Sequence, residues 1–203
     1  MQLEAVIFDY GNVISLPNRH EGVLEYSARL GIAEKEFLHA YRRERHPFDQ
    51  GAVGVWDYWK RVVSSVSTDS SKTILKQFID LDMEDWTQLN QPLLEWQRTL
   101  SAKGYRTGIL SNIPFYFAEY YREHLDWLHC FDTVTFSCDV GSVKPEPEIY
   151  QACLRSLGVD GKKALFLDDL PENVEGARSI GMHSELFYSV DATIPFVTEK
   201  YGI

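Results

Sequence analysis

Ala5-Val6-Ile7-Phe8-Asp9-Tyr10-Gly11-Asn12-Val13 is the stretch that decides the fold. Val6, Ile7 and Phe8 form an uncharged, β-prone run, which reads as a strand buried on both faces. The run stops on a carboxylate and an aromatic, then on Gly11-Asn12. Gly and Asn adopt positive φ at the least cost, so a sharp turn is expected. Asp9 is thereby offered at the carboxyl end of a central strand, where open α/β sheets place their sites. An aspartate there can also simply start a turn. What separates the two readings lies further along the chain.

From residue 88 onward helices and strands alternate. Pro92 opens a helix that Gly104 closes, Pro147 and Gly158 bracket another, and Pro171 and Gly181 a third. Proline at the first helical position with glycine just past the end is the expected asymmetry. A further helix is expected from about Pro114 to Leu125, capped near Asn112. Apolar β-prone runs lie between them: Thr107–Leu110, Val134–Phe136, Ala164–Leu167 and His183–Phe187. Together with the first strand they predict an α/β fold, a Rossmann-like parallel sheet of about five strands with helices on both faces.

Residues 18–87 have another texture, helical and tryptophan-rich. Val23, Leu24 and Leu30, then Phe37, Leu38 and Tyr41, keep helical spacing, and Gly31 divides them. Trp56, Trp59, Val62, Val63 and Val66 form a third stripe. Thr68 or Asp69 can cap a fourth helix carrying Ile74, Leu75, Phe78 and Ile79. The expected division is a core of residues 1–15 and 88–203, interrupted by a helical insert over 16–87.

The 203 residues are 44% hydrophobic, enough for one ordinary core plus a small appended module. A formal net charge of −10 repels nucleic acid and anionic membrane, so neither is an expected partner. It also repels phosphorylated metabolites, so any anion site must be built locally from a metal, a lysine and backbone N–H groups. Cys130, Cys138 and Cys153 are odd in number and lack C-x-x-C spacing, which reads as buried thiols of a reducing compartment. Glu4 and Asp9 stand where a signal peptide would carry basic residues, and no apolar run approaches transmembrane length. The expectation is a soluble cytoplasmic protein, a monomer or a homodimer.

Four short motifs fall where a strand gives way to a loop: Asp9, Ser111-Asn112, Lys144-Pro145 and Asp168-Asp169. Singly, each has an ordinary explanation. Ser-Asn caps helices, Lys-Pro is a solvated lysine before a turn, and Asp-Asp complements a helix dipole. Parallel strands bring all four to one rim, which then holds three carboxylates, a hydroxyl, an amide and an ammonium. Carboxylates so crowded raise their own pKa values unless a cation sits among them, and Mg²⁺ with its oxygen ligands is the fitting one. Lys144, the Ser111 hydroxyl and backbone N–H groups can hold phosphoryl oxygens while Asp9 acts as nucleophile.

Phe8-Asp9-Tyr10-Gly11-Asn12-Val13, Leu110-Ser111-Asn112, Val143-Lys144-Pro145-Glu146-Pro147-Glu148-Ile149-Tyr150 and the run from Phe166 to Ala177 together resemble the haloacid-dehalogenase superfamily of hydrolases. The insert sits where that family carries its helical cap of the first type. The first motif is most similar to that of small bacterial sugar-phosphate phosphatases acting on α-D-glucose 1-phosphate. The resemblance implies Asp9 as nucleophile and Mg²⁺ ligand, the Gly11 carbonyl and Asp169 as further ligands, and Asp168 beside them. It implies Ser111, Asn112, Gly11 and Asn12 as phosphate or substrate contacts, and Lys144 as the cation holding both Asp9 and phosphate. Asn173 falls where relatives place another polar group near the metal.

Gly11 departs from the pattern. Most phosphatases of the family have there a second aspartate that protonates the leaving alcohol. Without it, rate should depend steeply on the leaving group, which suits a sugar 1-phosphate. His20, His46 and Asp49 are insert residues that could supply the proton, although solvation is the ordinary role for each. Lys35, Arg42, Arg43 and Arg45 read as a solvated helix face. Two other readings stand beside a Mg²⁺-dependent phosphatase of small phosphorylated metabolites. One is a metal-free 2-haloacid dehalogenase, and the other a binding protein that kept the fold and lost the chemistry.

Overall fold

The computed structural model describes residues 2–203. Its centre is a parallel sheet of five strands: β1 (Ala5–Phe8), β2 (Arg106–Ser111), β3 (Thr133–Phe136), β4 (Ala164–Asp168) and β5 (His183–Leu186). Their spatial order is β3-β2-β1-β4-β5, all parallel, so β1 is the middle strand and Asp9 leaves the middle of the rim. The expected sheet is the observed one.

Side-chain alternation explains why β1 shows an unbroken apolar run. Val6 and Phe8 point into one core, together with Ile109, Leu165 and Leu167. Ala5 and Ile7 point into the other, together with Leu110, Ala164 and Phe166. The first core is covered by α6 (Gln91–Ala102), α7 (Phe115–His124) and α11 (Val190–Tyr201). The second is covered by α9 (Pro147–Leu157) and α10 (Pro171–Ser179). The sheet therefore has helices on both faces. A single turn, α8 (Ser137–Val140), follows β3.

Residues between β1 and α6 are helical: α1 (Glu21–Arg29), α2 (Glu34–Arg43), α3 (Arg45–Asp49), α4 (Val55–Ser64) and α5 (Lys72–Asp85). Phe37, Trp59 and Phe78 stack at their centre, with Trp59 and Phe78 nearly parallel at 5.1 Å. The chain enters and leaves through a two-stranded neck. Leu16 N–H donates to the Gln88 carbonyl and Asn90 N–H to the Ile14 carbonyl, each at 2.8 Å.

Four local expectations need correction. The insert has five helical pieces where periodicity gives four, because α3 is a single turn holding Pro47, too short to show a repeat. The last insert helix is capped neither by Thr68 nor by Asp69. It starts after Ser71, whose N–H is accepted by the Asp69 carboxylate at 3.0 Å. Asn112 does not cap α7, which begins after Pro114. Cys138 and Cys153 are buried as expected, but Cys130 is exposed. No helix is long and apolar enough to cross a membrane among the described residues.

Candidate active site

Directly beyond β1 the backbone makes one wide turn over Tyr10–Ile14, closed by Ser15 N–H to the Tyr10 carbonyl at 2.8 Å. Of the Gly-Asn pair it is Asn12 that takes positive φ, at 57°. Asparagine tolerates that region because its short amide bonds locally. Here Asn12 Nδ2 donates to Asp169 Oδ2 at 2.9 Å, and Asn12 Oδ1 accepts from Asn18 N–H at 2.8 Å. Asn12 thus ties the first loop to the loop after β4 and to the start of the insert.

Asp9 is buried. Its Oδ1 accepts from Tyr10 N–H at 2.7 Å and from the Ser111 hydroxyl at 2.6 Å, and lies 2.7 Å from Lys144 Nζ. Its Oδ2 accepts no hydrogen bond among the described residues. One carboxylate oxygen is anchored three ways and the other is left for chemistry.

Lys144 is the second fixed point. Its ammonium also lies 2.7 Å from Asp168 Oδ2, and its side chain is 1% exposed. Asn112 clamps the lysine's backbone: Asn112 Oδ1 accepts from Lys144 N–H at 2.7 Å, and Nδ2 donates to the Lys144 carbonyl at 3.1 Å. Asn173 Nδ2 and Leu170 N–H donate to Asp168, whose two oxygens are then taken by protein donors. Asp168 orients the lysine, and Asp169 is the neighbour with an oxygen to spare.

Charge here is unbalanced. Burial pushes Asp9 well above the ordinary carboxylate range, Lys144 pulls it down, and the charge of Asp168 pushes it up again. Lys144 is raised despite its burial, because it faces two carboxylates while they share one ammonium. Burial also raises Asp169, against the hydrogen bond from Asn12. Asp9, Asp168 and Asp169 each present an oxygen, all within 4.8 Å of one another. Hard oxygen donors with surplus negative charge fit a small divalent cation such as Mg²⁺.

A cavity of about 220 Å³ opens over this cluster. Asp9, Ser111, Asn112, Lys144 and Asp169 form its floor, with Tyr10, Trp86, Phe117 and Tyr121 as aromatic walls. Gly11 lies under Trp86: a Cβ on Gly11 would meet that ring at 3.3 Å. Gly11 and Asn12 line the cavity as well, so the site residues expected from sequence converge on one place.

Three residues expected on a solvated surface, Arg45, Asp49 and His20, do not lie there. Arg45 and Asp49, at the two ends of α3, both line the cavity. Asp49 is 8% exposed, and Arg45 packs over the rings of Tyr41, Phe48 and Tyr58. The signal that could have found them is the aromatic density around them. His46 does stay exposed, 3.4 Å from Glu146. His20 packs against Tyr41 and Trp86 without lining the cavity, and burial pulls it down to about 4.

Residues 3–181 match the family model described as haloacid dehalogenase-like hydrolase. The chain is 27% identical to mouse bifunctional epoxide hydrolase 2 over 96% of its own length and 38% of that protein. It therefore spans well under half the length of that relative. It is 36% identical to a phosphatase of Mycobacterium tuberculosis over 47% of its length and 43% of that protein. In structure it is similar to a HAD family enzyme of Bacteroides thetaiotaomicron, solved with magnesium and inorganic phosphate. The TM-score is 0.75 at 18% identity, over 96% of this chain and 98% of that one. With the family match spanning β1 to β4, the insert and all four rim motifs, this chain belongs to the haloacid dehalogenase-like hydrolases.

Proposed function

We propose that this hydrolase is a Mg²⁺-dependent phosphatase of small phosphorylated metabolites, working through an aspartyl-phosphate on Asp9. One observation carries the reading. A buried ammonium holds Asp9 and Asp168 while Asp169 keeps a free share of negative charge beside them. A haloacid site has no need of that third carboxylate, and a binding relic has no need of the buried lysine. The magnesium and phosphate in the Bacteroides structure and the mycobacterial phosphatase support the same reading.

Asp9, Asp169 and the Gly11 carbonyl would hold the ion, with Asp168 occupied by Lys144. Bound there, Mg²⁺ would supply charge neutralisation for a phosphoryl group approaching a carboxylate. The chain's own residues do the rest. Lys144 and the Ser111 hydroxyl would hold phosphoryl oxygens. Asp9 forms a bond to phosphorus as the ester P–O bond breaks, and water then cleaves the acyl-phosphate. Asn112 and Asp168 keep the lysine in place. The insert over 16–87 acts as a cap over the cavity. The cavity volume suits a metabolite of monosaccharide size, and Trp86, Phe117 and Tyr121 offer rings for a sugar to pack on. A hexose 1-phosphate is the favoured substrate.

Phosphate release from a panel of phosphorylated sugars and from p-nitrophenyl phosphate tests this. Release should be abolished by EDTA and by Asp9→Asn. Chloride release from 2-chloropropionate without metal would instead favour a dehalogenase.

A further inference from the structure

Gly11 leaves the site without the proton donor most of its relatives have. Trp86 covers Gly11 closely enough to crowd any added side chain there. A proton must still reach the leaving alcohol, and a group must still receive one from the attacking water. The cavity walls offer few titratable groups. Asp9 and Asp169 belong to the nucleophile and the metal. Lys144 stays charged between two carboxylates. Tyr10 gives its hydroxyl to the Trp86 carbonyl at 2.6 Å, and burial raises both Tyr10 and Tyr121. Arg45 keeps its charge beside Asp49, so among the described residues lining the cavity Asp49 remains.

We propose, resting on the phosphatase reading above, that Asp49 is the proton carrier of this site. Its carboxyl gives a proton to the leaving oxygen as Asp9 bonds to phosphorus and the ester P–O bond breaks. Its carboxylate then takes a proton from the water that attacks phosphorus, as the bond to Asp9 breaks and phosphate leaves.

Position supports the role. Asp49 belongs to the insert and lines the same cavity as Asp9. Its backbone is locked to the core: Ser137 Oγ donates to the Asp49 carbonyl at 2.5 Å and accepts from Ile113 N–H at 2.8 Å. Ile113 follows Ser111-Asn112, so the Asp49 backbone is tied through Ser137 to the loop that carries them. Gln50 adds a bond to the Gly141 carbonyl at 2.9 Å.

The carboxyl is also incompletely paired. Asp49 Oδ2 accepts from Arg45 Nε at a long 3.3 Å. Oδ1 is 2.7 Å from an Arg45 terminal nitrogen, close enough for attraction, yet it has no aligned donor. Arg45 and His46 face it from α3, Tyr41 from α2, Tyr58 from α4, Asp82 from α5 and Lys144 from the core. Burial outweighs the cations and pushes Asp49 up to about 6, where a carboxyl can both give and take a proton near neutrality.

Asp49→Asn tests this against two substrates of similar shape, phenyl phosphate and p-nitrophenyl phosphate, whose leaving groups differ in how readily they depart unprotonated. The kcat/KM on phenyl phosphate should fall about 100-fold, and on p-nitrophenyl phosphate less than about tenfold. With p-nitrophenyl phosphate, phosphoenzyme should accumulate in acid-quenched samples, because the second step has lost its base. Equal losses on both substrates without accumulation would overturn the proposal, as a merely structural Asp49 behaves that way. If the variant does not fold, the wild type decides. Rates that vary little across substituted phenyl phosphates support a proton donor, and a steep dependence contradicts one. A failure of the phosphatase reading itself looks different: wild type releases no phosphate, or Asp9→Asn stays active.

Discussion

Lys144→Met deletes one ammonium and keeps the length of the side chain. At 2.7 Å, each of the two ion pairs is worth about 6 kcal/mol at an effective dielectric of about 20, before desolvation is subtracted. Burying the ammonium offsets several kcal/mol of that, and removing one member of a buried pair costs about 3–5 kcal/mol. The remaining carboxylates have one escape, which is for one of them to take up a proton. In the folded wild type without metal, burial already pushes Asp9 up to about 7, so it is ionised there only above that pH. Without the ammonium it keeps its proton to a higher pH. Over that interval the folded variant binds one proton more than the folded wild type, so its deficit grows by up to about 1.4 kcal/mol for each pH unit. Lys144 itself, raised above its usual value, stays charged throughout this window. Urea unfolding of both proteins in EDTA should show a loss that is larger at pH 8.5 than at pH 6 by about 2 kcal/mol. A loss of equal size at both pH values would refute the charge triangle. Activity should fall by about 10³-fold or more.

Other consequences follow from the same contacts. Gly176→Ala puts a Cβ 2.8 Å from both Pro145 Cβ and the Tyr150 hydroxyl, so it should lower stability by about 1–3 kcal/mol and reduce kcat by displacing the Lys144 loop, read by urea unfolding and steady-state rates. Mg²⁺ at about 100 times its Kd should add about 3 kcal/mol, a rise in Tm of several degrees, and Asp169→Asn should remove most of that rise in thermal scans. Burial pushes Asp82 up to about 6, above its unfolded value, so its folded form holds a proton that the unfolded chain has lost. It therefore lowers stability as pH rises from about 4 to about 6, and Asp82→Asn should remove up to about 3 kcal/mol of that decline.

The sheet was legible because β1 carries the simplest of signals, an apolar run buried on both faces that ends on a carboxylate. The proline and glycine brackets of α6, α9 and α10 were legible for the same reason, since each residue type serves a fixed local geometry. Asn112 was harder. Its amide could cap a helix or hold a distant backbone, and only the fold brings Lys144 within reach of it. The first motif makes Asn12 a candidate substrate contact, but nothing in it shows that the amide also reaches Asp169, 157 residues away. Arg45 and Asp49 were hidden most deeply. A five-residue turn has no period to read, and a charged pair at its two ends looks like solvent-facing sequence until Tyr41, Tyr58 and Asp82 close around it.

The central claim is that phosphorus bonds covalently to Asp9 during turnover. Wild-type enzyme with Mg²⁺ and p-nitrophenyl phosphate, quenched in acid during steady state and mapped by peptide mass spectrometry, measures it directly. The phosphoryl group should appear on the peptide that contains Asp9 and be absent from Asp9→Asn. Phosphate release that continues in Asp9→Asn, with no acid-stable phosphopeptide in the wild type, would contradict the account.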